Sequence, residues 1–129
     1  MRARVVLLAI ATALLPEATF AMSERIDIAL GCADDPQIVG ACFSVNGRLS
    51  AYNGYPNLRI WPRVTRRLLG VIPNEEPRSI PPAIRHLVGF GREIWGDFLV
   101  CPFTQAKAGH MQYVCVEAVS NVRVREYRP

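Results

Sequence analysis

Residues 45–61, Val45-Asn46-Gly47-Arg48-Leu49-Ser50-Ala51-Tyr52-Asn53-Gly54-Tyr55-Pro56-Asn57-Leu58-Arg59-Ile60-Trp61, decide the fold. Asn53-Gly54 is the favoured dipeptide of a two-residue type I′ hairpin turn, whose central positions both need positive φ. A hairpin closed there sets Tyr52 opposite Tyr55, Ser50 opposite Asn57, Arg48 opposite Arg59 and Asn46 opposite Trp61. The other side of the ribbon then carries Val45, Leu49 and Ala51, with Leu58 and Ile60 on the partner strand. Period-two alternation separates an apolar face from a polar, aromatic one in both strands at once. Pro56 would face Ala51 without an N–H to donate, so the second strand is expected to begin at an edge or just after it.

Working outward, Thr65 to Ile72 reads as a third strand, with Gly70 expected to mark a bulge. Residues 73–82 hold Pro73, Glu75, Glu76, Pro77, Pro81 and Pro82, the composition of a stiff polar loop. Pro81-Pro82 can open a short helix through about Leu87, because proline suits a first turn. Gly89, Gly91 and Gly96 interrupt the chain, Asp97 to Phe103 is a fourth strand and Met111 to Val119 a fifth. Val122 to Tyr127 alternates again, and either extends the fifth strand or forms a sixth. The order predicts a mainly β fold. It is a small, five- to six-stranded antiparallel barrel or curled sheet, OB-like, with one short helix between strands 3 and 4. A small sandwich would leave a similar pattern.

The N-terminus sets the expected compartment. Arg2 and Arg4 precede an uncharged run from Val5 to Leu15, then Pro16 and Glu17, then Thr19-Phe20-Ala21 with small residues at the −3 and −1 sites. That is the layout of a secretory signal peptide cleaved after Ala21. The run is too short for a membrane span, which needs ~20 residues. Ala29-Leu30-Gly31-Cys32 is a poor lipidation box, because its leucine is one position too late and Glu24, Arg25 and Asp27 stand where an apolar stretch is required. The expected organisation is therefore a signal peptide over 1–21 and a single β-rich domain over 22–129, periplasmic or secreted. A domain of that size buries roughly 65% of its unfolded surface, enough for one modest core. The chain holds 15 basic and 11 acidic residues, a net charge of +4, and Lys107 is its only lysine. The arginines are spread along the chain rather than gathered into a nucleic-acid footprint, so no nucleic acid is expected as a partner.

The four cysteines, Cys32, Cys42, Cys101 and Cys115, read as two disulfides in an exported domain. Three connectivities are open. Cys101 and Cys115 lie at equal distance from a turn near Ala108-Gly109, which favours Cys101–Cys115 and leaves Cys32–Cys42. Zinc ligation and a redox pair are disfavoured by the lack of C-x-x-C and of suitably spaced histidines.

Four segments taken together resemble a group of small uncharacterised exported bacterial proteins. They are Val45 to Gly54, Arg59-Ile60-Trp61, Gly96-Asp97-Phe98-Leu99-Val100-Cys101-Pro102-Phe103-Thr104 and Met111-Gln112-Tyr113-Val114-Cys115-Val116-Glu117. The similarity covers about Cys42 to Asn121. It implies a bacterial, periplasmic origin and carries over no catalytic residue.

The chemistry-bearing residues are sparse. His86 reads as a helix-surface residue and His110 as an exposed turn residue, and no serine sits in G-x-S-x-G. Asp34-Asp35-Pro36 reads as a turn and Glu75-Glu76 as a solvated loop, because adjacent carboxylates point apart. Gly89-Phe90-Gly91 lacks the spacing of a phosphate loop. No catalytic residue, metal ligand or cofactor is assigned. The polar face of the hairpin is the candidate ligand-binding surface, with Arg48, Tyr52, Tyr55, Arg59 and Trp61. Arginines beside flat rings suit sugars, anionic polymers or a protein partner. Arg48 opposite Arg59 would need an acidic neighbour, either Glu117 or a ligand. The expectation is a non-enzymatic exported binding or accessory module. The alternatives are a small envelope hydrolase using His110 or Asp97, or a purely structural envelope protein.

Overall fold

The computed structural model describes residues 31–72 and 79–127. The expected signal peptide lies outside the described residues, as do Glu75 and Glu76. Among the described residues five strands form one mixed sheet: β1 (Phe43–Ala51), β2 (Leu58–Pro62), β3 (Leu69–Val71), β4 (Arg92–Pro102) and β5 (Gln112–Glu126). One short helix, α1 (Pro82–Arg85), lies between β3 and β4, with Pro82 in its first turn as the sequence predicts. A 3-10 turn over Cys32–Asp34 precedes β1.

The sheet returns on itself in the order β1-β2-β3-β5-β4, with β4 paired back to β1. All pairs are antiparallel except β3 with β5, which run parallel. The expectation of a wholly antiparallel sheet is thereby corrected. The reason is connectivity: the segment carrying α1 crosses from β3 to β4, and β5 returns alongside β3 in β3's direction. Among the described residues no sixth strand forms, because Val122 to Glu126 prolongs β5 along β4.

Alternation fills the interior. Leu49, Leu58, Ile60, Phe98, Val100 and Val114 are among the residues buried in the main core, and α1 adds Ile84. Burying each such side chain contributes about 1.5–3 kcal/mol. A second, smaller core lies on the outer side of β4 and β5. There Cys32, Cys101 and Cys115 pack with Ile38, Cys42 and Phe103.

The first hairpin keeps its two faces but not its register. Arg48 pairs with Trp61, Leu49 with Ile60 and Ser50 with Arg59. Tyr52 N–H donates to the Asn57 carbonyl at 2.7 Å, so the loop has four residues, 53–56, instead of two. Pro56 cannot donate to a ladder and leaves the strand. It packs over Gly70, where an added Cβ would come within 2.6 Å of the Pro56 ring and of the Met111 sulfur. Gly70 is therefore a close-approach glycine, not a bulge. A slip of two residues leaves every side chain on its original face, which is why the partition into faces holds while each predicted pair is wrong.

The disulfides correct the predicted pairing. They are Cys32–Cys115 and Cys42–Cys101, with Cα–Cα distances of 5.9 and 4.1 Å. Cys101 and Cys115 do sit opposite each other on β4 and β5. However, β4 also pairs with β1, and the Phe43–Val100 pair brings Cys42 beside Cys101. The 3-10 turn then delivers Cys32 to Cys115. In the chain-entropy model, loops of 59 and 83 residues make each bridge worth about 4 kcal/mol. Non-reducing peptide mapping is expected to recover Cys32 joined to Cys115 and Cys42 to Cys101. Cys42→Ser with Cys101→Ser is expected to lower unfolding free energy by about 2–4 kcal/mol in denaturant titration. A Cys101–Cys115 peptide in the map would contradict the fold's closure.

Candidate functional site

The outer face of the sheet is built around β1, which is paired on both edges. Arg48 lies opposite Trp61 on β2 and opposite Trp95 on β4. Its guanidinium bonds Glu93 on β4 and lies 5.6 Å from the centre of the Trp61 ring. Trp95 Nε1–H donates to the other oxygen of the same Glu93 at 3.2 Å. Trp61 Nε1–H donates to the Tyr52 hydroxyl at 2.9 Å. Arg59 stacks over the Tyr52 ring at 5.0 Å and donates from Nε to the Pro56 carbonyl at 3.1 Å. Arg63 stacks over Trp95 at 5.7 Å. Three strands thus share one network in which every ring has both its polar handle and an arginine fixed.

Glu93 supplies the acidic neighbour that Arg48 requires. Glu117, the expected internal candidate, is engaged elsewhere: its carboxylate accepts the Ala33 N–H at 2.8 Å and so holds the 3-10 turn. The register change also removes the direct Arg48–Arg59 opposition. Of the five predicted ligand residues, Arg48, Tyr52, Arg59 and Trp61 come together on this face. Tyr55 does not. It projects from the 53–56 loop, is exposed, and meets Tyr113 edge-on at 6.5 Å.

A groove of about 530 Å³ continues the face along β4 and β5, lined by Asn46, Arg63, Trp95, Asp97, Asn121 and Arg123 among others. Asp97 is its centre. Asn46 Nδ2–H donates to one carboxylate oxygen at 2.6 Å and Asn121 Nδ2–H to the other at 2.7 Å. The Asn121 bond first, then the Asn46 bond, then the charge of Arg123 hold Asp97 below the ordinary aspartate value of 3.8. A bulge makes this arrangement. The β4–β5 register shifts between Trp95 and Asp97, and a Cβ on Gly96 would lie 2.9 Å from the Ser120 carbonyl. Asn121 takes the left-handed conformation there (φ 54°), which asparagine tolerates better than most residues.

Glu93 and Trp95 escaped the sequence reading because Gly96 looked like an interruption, and Arg63, Asn121 and Arg123 because only the closed ring of strands brings them to this face. The missed signal is that Ile94, Gly96 and Phe98 keep the inward alternation running through the glycine.

The remaining candidates stay apart from this network. His86 caps the C-terminal end of α1, and His110 N–H donates to the Lys107 carbonyl in a turn, so both are the exposed residues the sequence suggests. Asp35 Oδ1 accepts the Gln37 N–H at 2.8 Å, in keeping with a turn. The sulfurs of Cys32, Cys101 and Cys115 lie within 4.8 Å of one another, but all are committed to disulfides. Among the described residues no helix is long and apolar enough to cross a membrane. No family model, curated protein or solved structure matches the chain.

The lowered Asp97 value has a consequence for acid stability. A carboxyl whose folded-state pKa lies below its unfolded value stabilises the fold above the unfolded value, and that contribution is lost as pH falls through the folded one. Asp97→Asn is therefore expected to melt below wild type near neutral pH, with the gap closing below 3.8. Melting curves recorded across that window check it. A gap that persists unchanged down to about pH 2 would show that the two amides do not act through the carboxylate charge.

Proposed function

We propose that this protein is an exported, non-enzymatic binding module, acting in the periplasm or outside the cell, and that its outer face binds an anionic oligosaccharide. The carrying observation is the composition of that face. Arg48, Arg59, Arg63, Arg123 and Arg125 stand on this face beside Glu93 and Asp97. Two tryptophans and a tyrosine are locked among them by hydrogen bonds. The excess of guanidinium draws an acidic ligand, and the rings offer apolar platforms to the C–H faces of sugars. The Asp97 carboxylate is an acceptor for hydroxyl hydrogen bonds, which suits a polyhydroxylated ligand.

The fold supports this reading. We read the ring in the order β1-β2-β3-β5-β4, with its one parallel pair and a helix between β3 and β4, as a small OB-like barrel. Such barrels commonly bind oligosaccharides and oligonucleotides on their outer strands, though that support is by analogy of fold. Two disulfides suit an oxidising compartment.

Isothermal titration with oligogalacturonate, and with neutral cello-oligomers as control, tests the reading. The acidic oligomer is expected to bind and to weaken with added salt. Arg48→Ala and Trp61→Ala are each expected to cost about tenfold or more in affinity, while Tyr55→Ala leaves it unchanged. Equal binding by all three variants, or a preference for the neutral oligomer, would contradict it.

A further inference from the structure

A second cavity, of about 500 Å³, opens between the β2–β3 loop and the β4–β5 loop. It shares no lining residue with the groove at Asp97. Arg66, Arg67, Lys107 and His110 line it, and no carboxylate does. Among the described residues, none of the three permanent cations has an acidic partner.

Arg67 is held in place without being neutralised. Its Nη2–H donates to Oε1 of Gln112 at 2.6 Å, and its guanidinium lies 5.8 Å from the centre of the Phe43 ring. Gln112 is 6% exposed, and its Nε2–H donates to the Thr104 carbonyl at 2.9 Å. That bond fixes which end of the amide faces Arg67. The contrast with Arg48 is chemical: a carboxylate cancels the charge of Arg48, whereas an amide orients Arg67 and leaves its charge intact. Both loops are also tied down. Thr65 Oγ1–H donates to the Pro62 carbonyl at 3.0 Å and accepts the Arg67 N–H at 3.2 Å. On the other loop the His110 N–H reaches the Lys107 carbonyl at 3.1 Å. Cations gathered in one fixed cavity repel one another unless a counter-anion joins them.

We propose that this cavity binds a phosphate dianion, either the free ion or a monoester. Three permanent cations match a doubly charged oxyanion better than a single carboxylate. Arg67 supplies oriented donors, Arg66 and Lys107 supply charge from the two loops, and the His110 ring closes the rim.

The test is an amide and arginine-side-chain NMR titration of the whole protein near neutral pH, at constant ionic strength. Inorganic phosphate, glycerol 1-phosphate and acetate are the probes. Phosphate is expected to shift residues 65–68 and 106–112 saturably, and acetate to bind about tenfold more weakly or worse. Arg67→Ala is expected to cost about tenfold in phosphate affinity, and Lys107→Gln, on an exposed loop, to weaken it without touching the fold. Gln112→Leu keeps every charge yet is expected to weaken phosphate binding, a loss that a purely electrostatic cluster would not show. Equal affinity for glycerol 1-phosphate identifies a monoester headgroup as the ligand, and preference for inorganic phosphate identifies the free ion. Either outcome supports the site. Acetate binding as tightly as phosphate, shifts confined to the Asp97 groove, or titrations unchanged in Arg67→Ala and Lys107→Gln would overturn it. Because the two sites share no residue, loss here leaves saccharide binding by the Arg48 face in place, and the reverse holds.

Discussion

Strand β1 hydrogen-bonds on both edges, to β2 and to β4, and the rest of the molecule follows from that double pairing. It closes the run of strands into a ring, so the inward alternation of β1, β2 and β4 meets in one core around Leu49, Ile60 and Phe98. It also sets the outward residues of three strands side by side. Arg48 is central for this reason, with a tryptophan on each flanking strand and Glu93 within reach of its guanidinium. The Arg48–Glu93 pair is partly shielded, with side chains 33% and 13% exposed. Its main effect is to fix geometry, since exposed ion pairs add only about 0–1 kcal/mol.

The disulfides extend the same constraint to the chain before β1. Cys42 reaches Cys101 because β1 continues along β4, and Cys32 reaches Cys115 because β5 lies on the other side of β4. Together they hold residues 32–42 over the outer side of β4 and β5, where a second small core forms. Val39 N–H adds a backbone bond to the Pro102 carbonyl at 2.9 Å. The polar face and the covered face are thus opposite stretches of the same long strands. The β-bulges between Trp95 and Asp97 and between Leu99 and Val100 lie where β4 passes from one to the other.

Local signals were legible in the chain, and long-range ones were not. Alternation in 45–61 gave the correct faces, because a period of two survives an error of two. The turn differs from the expected one because Pro56 competes with Asn53-Gly54. The dipeptide favours closing early, but the loop runs on through Pro56, which packs over Gly70 outside the strand. Pairing Cys101 with Cys115 follows from one hairpin taken alone. It failed because closure gives β4 a second neighbour, a fact no local pattern carries. The parallel β3–β5 contact was hidden for the same reason. Of the candidate site, Arg48, Tyr52, Arg59 and Trp61 were readable from one ribbon, whereas the β4 and β5 contributions arrive only through the ring. Gln112 as a positioner of Arg67 had no sequence signal at all, because a buried glutamine looks like any other polar residue at the start of a strand.

Both tryptophans of the chain, Trp61 and Trp95, stand on the proposed ligand face, one on each side of Arg48. Their two indole N–H resonances therefore report on it directly. In a titration with an oligouronate, the account predicts that both signals shift together and saturate with the same affinity. Binding of the oligomer with both indole signals unmoved would place the ligand elsewhere and contradict the account.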